Sequence, residues 1–465
     1  MTFSVTVETQ DNGMGRFVLV DDDPFDIPDK NIDEIGDVDA DTQSLRIKYR
    51  APWFELTSVS ARYSNELDQI MGYDFSGMNL MSMRYLGDDT NYSQEICLSS
   101  LESDSPFKWL VGGYYFSGEL IYGLTMIYDA AILDPTGMTP PGLMTIEDPT
   151  YTTLDTNTYA IFGQTGYTFF DKLTLTAGLR YDRDKKETDY YHQGFTIFGM
   201  PPSEYNDSET WDTWSPKFIA DYRWNPSVLT YVSAAKGYRS GGYAQSDTDT
   251  AENARFDPEY AWSYEAGLKT NWLDNRITLN AAAFYTKVKD FQVFRFNELL
   301  QPTYTNAPKA TLQGFDAELL ARPLKGLDIM ASFGYLDTKF DENKDSFNPA
   351  GPKDYTGNKL PLSPEYTASL AVQYRLSWGL FARAESNWFG DTYFDEANIH
   401  KQNGYCIVNG KIGYEKEHFD IYFFVNNIFD KEYYSFLFDD PMDPTKDLGT
   451  IGDPRTFGVQ ATVRF

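Results

Sequence analysis

The last nine residues, FGVQATVRF (457–465), place an apolar side chain on every second position. Successive side chains of a strand point to opposite faces, so Phe457, Val459, Ala461, Val463 and Phe465 share one face. Gly458, Gln460, Thr462 and Arg464 share the other. A helix would need apolar residues at i, i+3, i+4 and i+7, and that spacing is missing. A half-buried strand of a soluble sandwich satisfies the pattern. So does a strand with lipid outside and a wet lumen inside. The rest of the chain has to decide between them.

The rhythm recurs. LTLTAGLRY (173–181) sets Leu173, Leu175, Ala177, Leu179 and Tyr181 against Thr174, Thr176, Gly178 and Arg180. ITLNAAAFY (277–285) and YTASLAVQYRL (366–376) repeat the arrangement, and their apolar faces carry terminal tyrosines, as interfacial anchors do. Arg180, Arg375 and Arg464 all fall on the polar face. A basic side chain facing lipid at mid-depth costs about 2–4 kcal/mol, whereas one facing a lumen costs little.

Short and long connections alternate. Asp171-Lys172, Asn225-Pro226-Ser227, Leu273-Asp274-Asn275, Leu324-Lys325-Gly326 and Glu415-Lys416-Glu417 suit hairpin turns. Between them lie long polar stretches at 119–155, 185–209, 239–257, 339–363 and 429–452. A compact soluble domain rarely carries many structureless loops beyond about 12–15 residues, while outer-membrane barrels pair short periplasmic turns with long outer loops. The pattern predicts about 18 strands, each near the 9–11 residues that a tilted barrel strand needs. Their expected cores include 44–50, 53–63, 92–101, 107–118, 156–170, 173–184, 210–224, 228–238 and 453–465. The expected fold class is all-β, a transmembrane antiparallel β-barrel. Backbone groups in lipid must be paired within the protein, so the barrel is expected to have no free edge.

Composition agrees. The formal charge of −30 and the scattered basic residues argue against a nucleic-acid partner. Aromatics make up 16% of the chain, as girdles at two membrane interfaces would require. No apolar run of about 18 residues marks a membrane helix.

Motifs for other chemistry are missing. His192, His400 and His418 are scattered, and no HExxH, GxSxG or phosphate-cradling glycine loop occurs. Neither catalytic residues, nor a metal site, nor a cofactor is expected. The acidic clusters VDDDPFD (20–26) and FDDPMD (438–443) have a density that suits calcium, but they lack EF-hand spacing and read as solvated loops. Cys97 and Cys406 match no metal or disulfide framework and read as packing residues; a bridge between them stays open on sequence grounds.

Several stretches resemble TonB-dependent outer-membrane receptors. They are YVSAAKGYRSGGY (231–243), FDPEYAWSYEAGLKTNWLDNRITLNAAAFYTKVKDFQ (256–292), and FFVNNIFDKEYY (423–434) followed by GDPRTFGVQATVRF (452–465). SQEICLSS (93–100) before FKWLVGGYYFSGE (107–119) also fits, with Cys97 where a basic residue is usual. The resemblance covers essentially the whole chain, 1–465, as one barrel domain. It implies a family barrel of about 22 strands around a plug, so residues 1–465 are expected to be its C-terminal portion, with plug, TonB box and first strands lying upstream. It implies a Gram-negative outer-membrane location among lipid and lipopolysaccharide. The strand ending in Phe465 would be read by the barrel-assembly machinery. TonB would act only through a supplied plug. The implied cargo is a scarce ligand, most commonly a ferric siderophore, with cobalamin or a glycan as alternatives. A passive porin-like channel, a barrel enzyme and an adhesin are the competing classes.

Ligand contacts are expected from the outer loops. Tyr238, Arg239 and Tyr243 flank Gly241 and Gly242 at a strand-to-loop transition, where an Arg and tyrosines suit an anionic chelate. The same residues also suit a rim anchor. Asn426, Asn427, Asp430 and Tyr433 resemble a family motif and read as a turn closed by local backbone bonds. Pro454 and Arg455 open the last strand, and they too read as structural.

Overall fold

The computed structural model describes residues 1–12, 17–20, 35–72, 80–101, 105–129, 145–194, 201–244, 250–296, 302–345, 353–439 and 446–464. Eighteen strands form one antiparallel sheet. In chain order they are Thr2–Asn12, Ile35–Arg50, Glu55–Gly72, Met81–Ser99, Phe107–Asp129, Thr145–Phe169, Leu173–His192, Ser203–Asn225 and Val228–Arg239. Glu259–Trp272, Ile277–Phe296, Pro302–Leu324, Leu327–Glu342, Tyr366–Arg375, Leu380–Phe389, Tyr405–Glu415, Phe419–Asn426 and Thr456–Val463 follow. Each pairs with the next, so the sheet is one long meander. Among the described residues no helix is long and apolar enough to cross a membrane.

The alternation read from the sequence sorts the two faces. Phe457, Val459 and Val463 are 73%, 68% and 61% exposed, and their counterparts Leu175, Leu179, Ile161 and Leu370 on other strands are 41–63% exposed. A face of large exposed apolar side chains fits lipid. The three arginines lie on the opposite face, each beside an acid. Arg180 meets Asp182 at 2.6 Å, Arg375 meets Glu415 at 3.0 Å, and Arg464 pairs with Asp420. Asp420 itself is buried.

The inner links are tight because their residues accept left-handed backbone. Phe170 and Asp171 have φ of 53° and 56°, and Leu273, Asp274 and Asn275 all have positive φ. At Gly326 φ is 86°, and a Cβ would lie 2.1 Å from the Arg375 carbonyl oxygen, so glycine is required there.

One expectation needs correction. Strands are longer than their alternating cores. The expected loops 119–155 and 185–209 are largely ladder, since the strands run to Asp129, resume at Thr145, continue to His192 and resume at Ser203. Likewise 44–50 grows to Ile35–Arg50 and 92–101 to Met81–Ser99. Beyond the band of exposed apolar side chains both faces can meet water, so alternation is no longer imposed. Segments such as TYTTLDTNT (150–158) keep the β-branched and aromatic residues that favour strands. The 25 residues of Thr145–Phe169 span roughly 80 Å at about 3.3 Å each, far more than the bilayer needs.

Among the described residues the sheet does not close. Both edges of Ile35–Arg50 are taken by Thr2–Asn12 and Glu55–Gly72, and both edges of Val228–Arg239 by Ser203–Asn225 and Glu259–Trp272. Thr2–Asn12 and Thr456–Val463 therefore each pair on one side only. They form the margins of an open seam.

Candidate functional site

Among the described residues, the folded connections follow the strand ends opposite the tight turns. One rim segment begins where Val228–Arg239 ends. Arg239 is exposed and faces Glu259 across the ladder. Tyr238 is half-buried, its ring 5.7 Å from that of Tyr260. The chain then becomes buried at Gly241-Gly242. A Cβ on Gly241 would lie 2.6 Å from the Phe256 carbonyl and 2.7 Å from the Trp211 ring, so glycine permits the close approach. Three elements hold this segment. Lys186 Nζ donates to the Gly241 carbonyl at 2.7 Å, and Gln292 Nε2 donates to the Ser240 carbonyl at 2.9 Å. Tyr243, 4% exposed, donates through its hydroxyl to Asp207 Oδ2 at 3.0 Å. Burial, with Asp207 beside it, pushes that hydroxyl above the usual phenol range. The structure thus brings Tyr238, Arg239 and Tyr243 into one segment but gives them different surroundings. Arg239 is the one presented to solvent, while Tyr243 is engaged within the protein. Lys186, Asp207, Trp211 and Gln292 complete this segment, and no sequence spacing links them to it.

The second cluster closes the loop before the last strand. Asn427, at φ 47° and 3% exposed, donates from Nδ2 to the carbonyls of Lys431 and Asp453, both at 3.0 Å. Its Oδ1 accepts from the Lys431 N–H at 2.8 Å. Asp430 Oδ1 accepts from the Arg455 N–H at 2.7 Å, just after Pro454. Tyr433 stacks on Tyr405 with ring centroids 4.5 Å apart, and Asn426 Nδ2 reaches Thr456 Oγ1 at 3.3 Å. These groups bond to one another and to main chain, and so fix where the last strand starts.

The histidines diverge. His192 Nε2 lies 2.9 Å from Asp148, and His418 is exposed at an inner turn. His400 is buried beside Asp395 in the outer loop 390–404, and the Asp395 hydrogen bond raises its pKa above the ordinary imidazole value despite the opposing effect of burial. Asp439 and Asp447, from the next outer loop, converge on its far side. Their separation in sequence, 400 to 439 to 447, gives no metal-like spacing. Cys97 and Cys406 are free thiols. Phe465, residues 21–26 and residues 440–443 lie outside the described residues.

A family model described as TonB dependent receptor-like, beta-barrel, matches residues 3–428. The chain belongs to that family. This TonB-dependent receptor barrel is 26% identical over 319 residues to the pesticin receptor of Yersinia pestis, covering 68% of the chain and 44% of that relative. It is 27% identical over 271 residues to the probable TonB-dependent siderophore receptor PiuA of Acinetobacter baumannii, covering 57% of the chain and 35% of that relative. Among solved structures, the ferric yersiniabactin uptake receptor FyuA from Yersinia pestis superposes with a TM-score of 0.78 at 22% identity. That match covers 95% of the receptor barrel and 63% of the FyuA chain. At that identity the likeness speaks for fold. The receptor barrel spans under half the length of the two sequence relatives it matches. The family consists of receptors and transporters, and its barrels are outer-membrane proteins.

Proposed function

We propose that residues 1–465 are the barrel portion of an outer-membrane receptor for TonB-energised uptake of a ferric siderophore or related metal chelate. The observation that carries the reading is the sheet itself. It has a greasy outer face and an ion-paired inner face, and its long hairpins and folded loops gather at one rim. The printed names of the relatives, which include siderophore and ferric-complex receptors, supply the ligand class. Among the described residues the sheet has 18 strands, and each margin strand pairs on one side only. A transporter cylinder of about 22 strands would need four more, and an even number preserves antiparallel order around the ring. In this reading the whole receptor has further strands and a plug, and TonB acts through that plug.

Arg239 is the rim residue proposed to touch the ligand, by charge and planar hydrogen bonding to an anionic chelate. Tyr238 and Tyr243 shape the wall behind it.

The test is uptake of radiolabelled ferric siderophores by iron-starved cells carrying the receptor with its upstream region, with and without TonB. Accumulation that needs TonB supports the reading. TonB-independent uptake together with steady conductance in planar bilayers would assign a passive channel instead. In the same cells Arg239→Ala should weaken ligand binding about tenfold, the loss of one charge-assisted contact, without lowering barrel abundance. Equal binding by both proteins removes Arg239 from the site.

A further inference from the structure

We propose that His400, Asp439 and Asp447 form a binding site for a divalent transition-metal ion on the outer surface, clipping the loop 390–404 to the hairpin of Tyr434–Asp439 and Asp447–Ile451. The site is independent of the ligand proposed for transport.

The geometry is that of a prepared ligand set. His400 is 5% exposed, and its Nδ1 lies 2.9 Å from Asp395 Oδ2. Asp395 is itself held: Oδ2 accepts the His400 N–H and Oδ1 the Ile399 N–H. Such a carboxylate–imidazole pair places the proton on Nδ1 and turns the Nε2 lone pair the other way, as it does behind metal-bound histidines. Buried Nε2 has no hydrogen-bond partner. It lies 3.3 Å from Asp439 Oδ1 and 3.4 Å from Asp447 Oδ1, and the three ligand atoms all fall within 4.8 Å of one another. Two metal–ligand bonds of about 2.0–2.2 Å at a tetrahedral angle would set ligand atoms about 3.3–3.6 Å apart. Hydrogen bonds from an imidazole would be shorter, about 2.7–3.2 Å.

The hairpin gives a second reason. Asp439 and Asp447 stand directly opposite each other in the antiparallel ladder. Like charges in that position repel and destabilise the pair unless a cation lies between them. Their side chains are 66% and 48% exposed, which leaves a solvent-facing fourth position and a path of entry. An imidazole with two carboxylates suits Zn²⁺, Co²⁺ or Mn²⁺ better than Ca²⁺, which takes oxygen ligands.

The full chain, stripped with chelator in detergent at pH 7.5, should be titrated with Zn²⁺ alone by calorimetry and with Co²⁺ alone by visible absorption. The expected result is one saturable Zn²⁺ per chain and a tetrahedral Co²⁺ band. Asp395→Asn should weaken the metal about 10–100-fold while keeping the band at saturation. His400→Ala should abolish it. Because His400 is buried, the decisive variant is the double substitution Asp439→Asn, Asp447→Asn, at solvent-facing positions. It should remove Zn²⁺ binding and leave the metal-free chain as resistant to protease as before, or more so. Unchanged Zn²⁺ affinity in the double variant, absence of saturable binding in the parent, or a metal-free double variant less resistant than the parent would each overturn the site; the last would mark His400 as the cation that pairs with the two aspartates.

Discussion

The outer surface of this receptor barrel is built in two ways. Between Phe107 and Asn225 the strands run 20 to 25 residues and stand as tall ladders above the membrane. From Tyr366 onward the sheet strands are 8 to 11 residues long, and their outer connections fold into compact loops with small sheets of their own. The ladders rest on main-chain pairing and cross-strand aromatics, such as Tyr190 stacked on Tyr205 at 4.7 Å and Tyr85 against Tyr122 at 4.6 Å. The loops rest on polar side chains that replace main-chain partners. Asn398, Asp395, Asn427 and Asp430 each serve as such a brace. A ladder needs the right residue types over many positions, whereas a braced loop needs a few specific side chains. Single substitutions should therefore injure the two regions differently.

The largest effect is expected inside a ladder. Tyr190 is 1% exposed, and Tyr190→Ala should cost about 3–5 kcal/mol by the cavity it leaves. Limited proteolysis should then cut near 190–205 while the rest of the sheet stays resistant; intact protection there would mean that pairing alone holds the ladder. Next comes the membrane zone that both regions share. Val459→Lys should destabilise assembly by about 2–4 kcal/mol, and Gln460→Lys, on the inner face, by far less. Heat-modifiability on a gel reads both, and equal effects would erase the two-face assignment. Asn427→Ala, which removes three hydrogen bonds at a buried positive-φ position, should cost about 2 kcal/mol. Its mark should be new cleavage between 428 and 455 rather than loss of the barrel.

The smallest effect is pH-dependent and confined to the braced side. The Lys401 side chain, together with the Gly404 N–H, holds Asp391 below its ordinary value of 3.8. A depressed carboxylate contributes stability above its unfolded pKa and loses it as pH falls through the folded value. Acid below pH 3.8 should thus loosen loop 390–404 slightly, and salt should blunt the effect because the pair is solvent-screened. Hydrogen exchange of residues 390–404 against pH would show it; a flat profile would mean the pair contributes nothing there.

Much of this was legible from residue order. The two-residue rhythm in 173–181, 277–285 and 457–463 gave strand positions and their apolar side, and Leu273-Asp274-Asn275 takes the turn its sequence invites; the turn expected at Asp171-Lys172 also includes Phe170, whose left-handed backbone nothing in the sequence marks. The ladder tops were not legible. Once both faces meet water, a segment such as ETDYYH (187–192) has no reason to alternate, although its register with 203–208 is unbroken. The rim was half legible. The glycines at 241 and 242 mark a close approach, but nothing near them in sequence names Lys186, Asp207 or Gln292 as the groups that close around them. The grouping at His400 was invisible, because its partners come from a different loop and only the hairpin pairing of Asp439 with Asp447 assembles them.

The unclosed seam has a thermodynamic consequence. Thr456–Val463 has eight residues, so about four of them point amide and carbonyl groups sideways into whatever lies beyond the margin. In hydrocarbon each such orphan costs several kcal/mol, a total comparable with the entire stability of an ordinary domain. Like a zip left undone, the sheet cannot come to rest in a bilayer until its two sides are drawn together or another ribbon is threaded between them. Membrane insertion and seam pairing should therefore behave as one cooperative event.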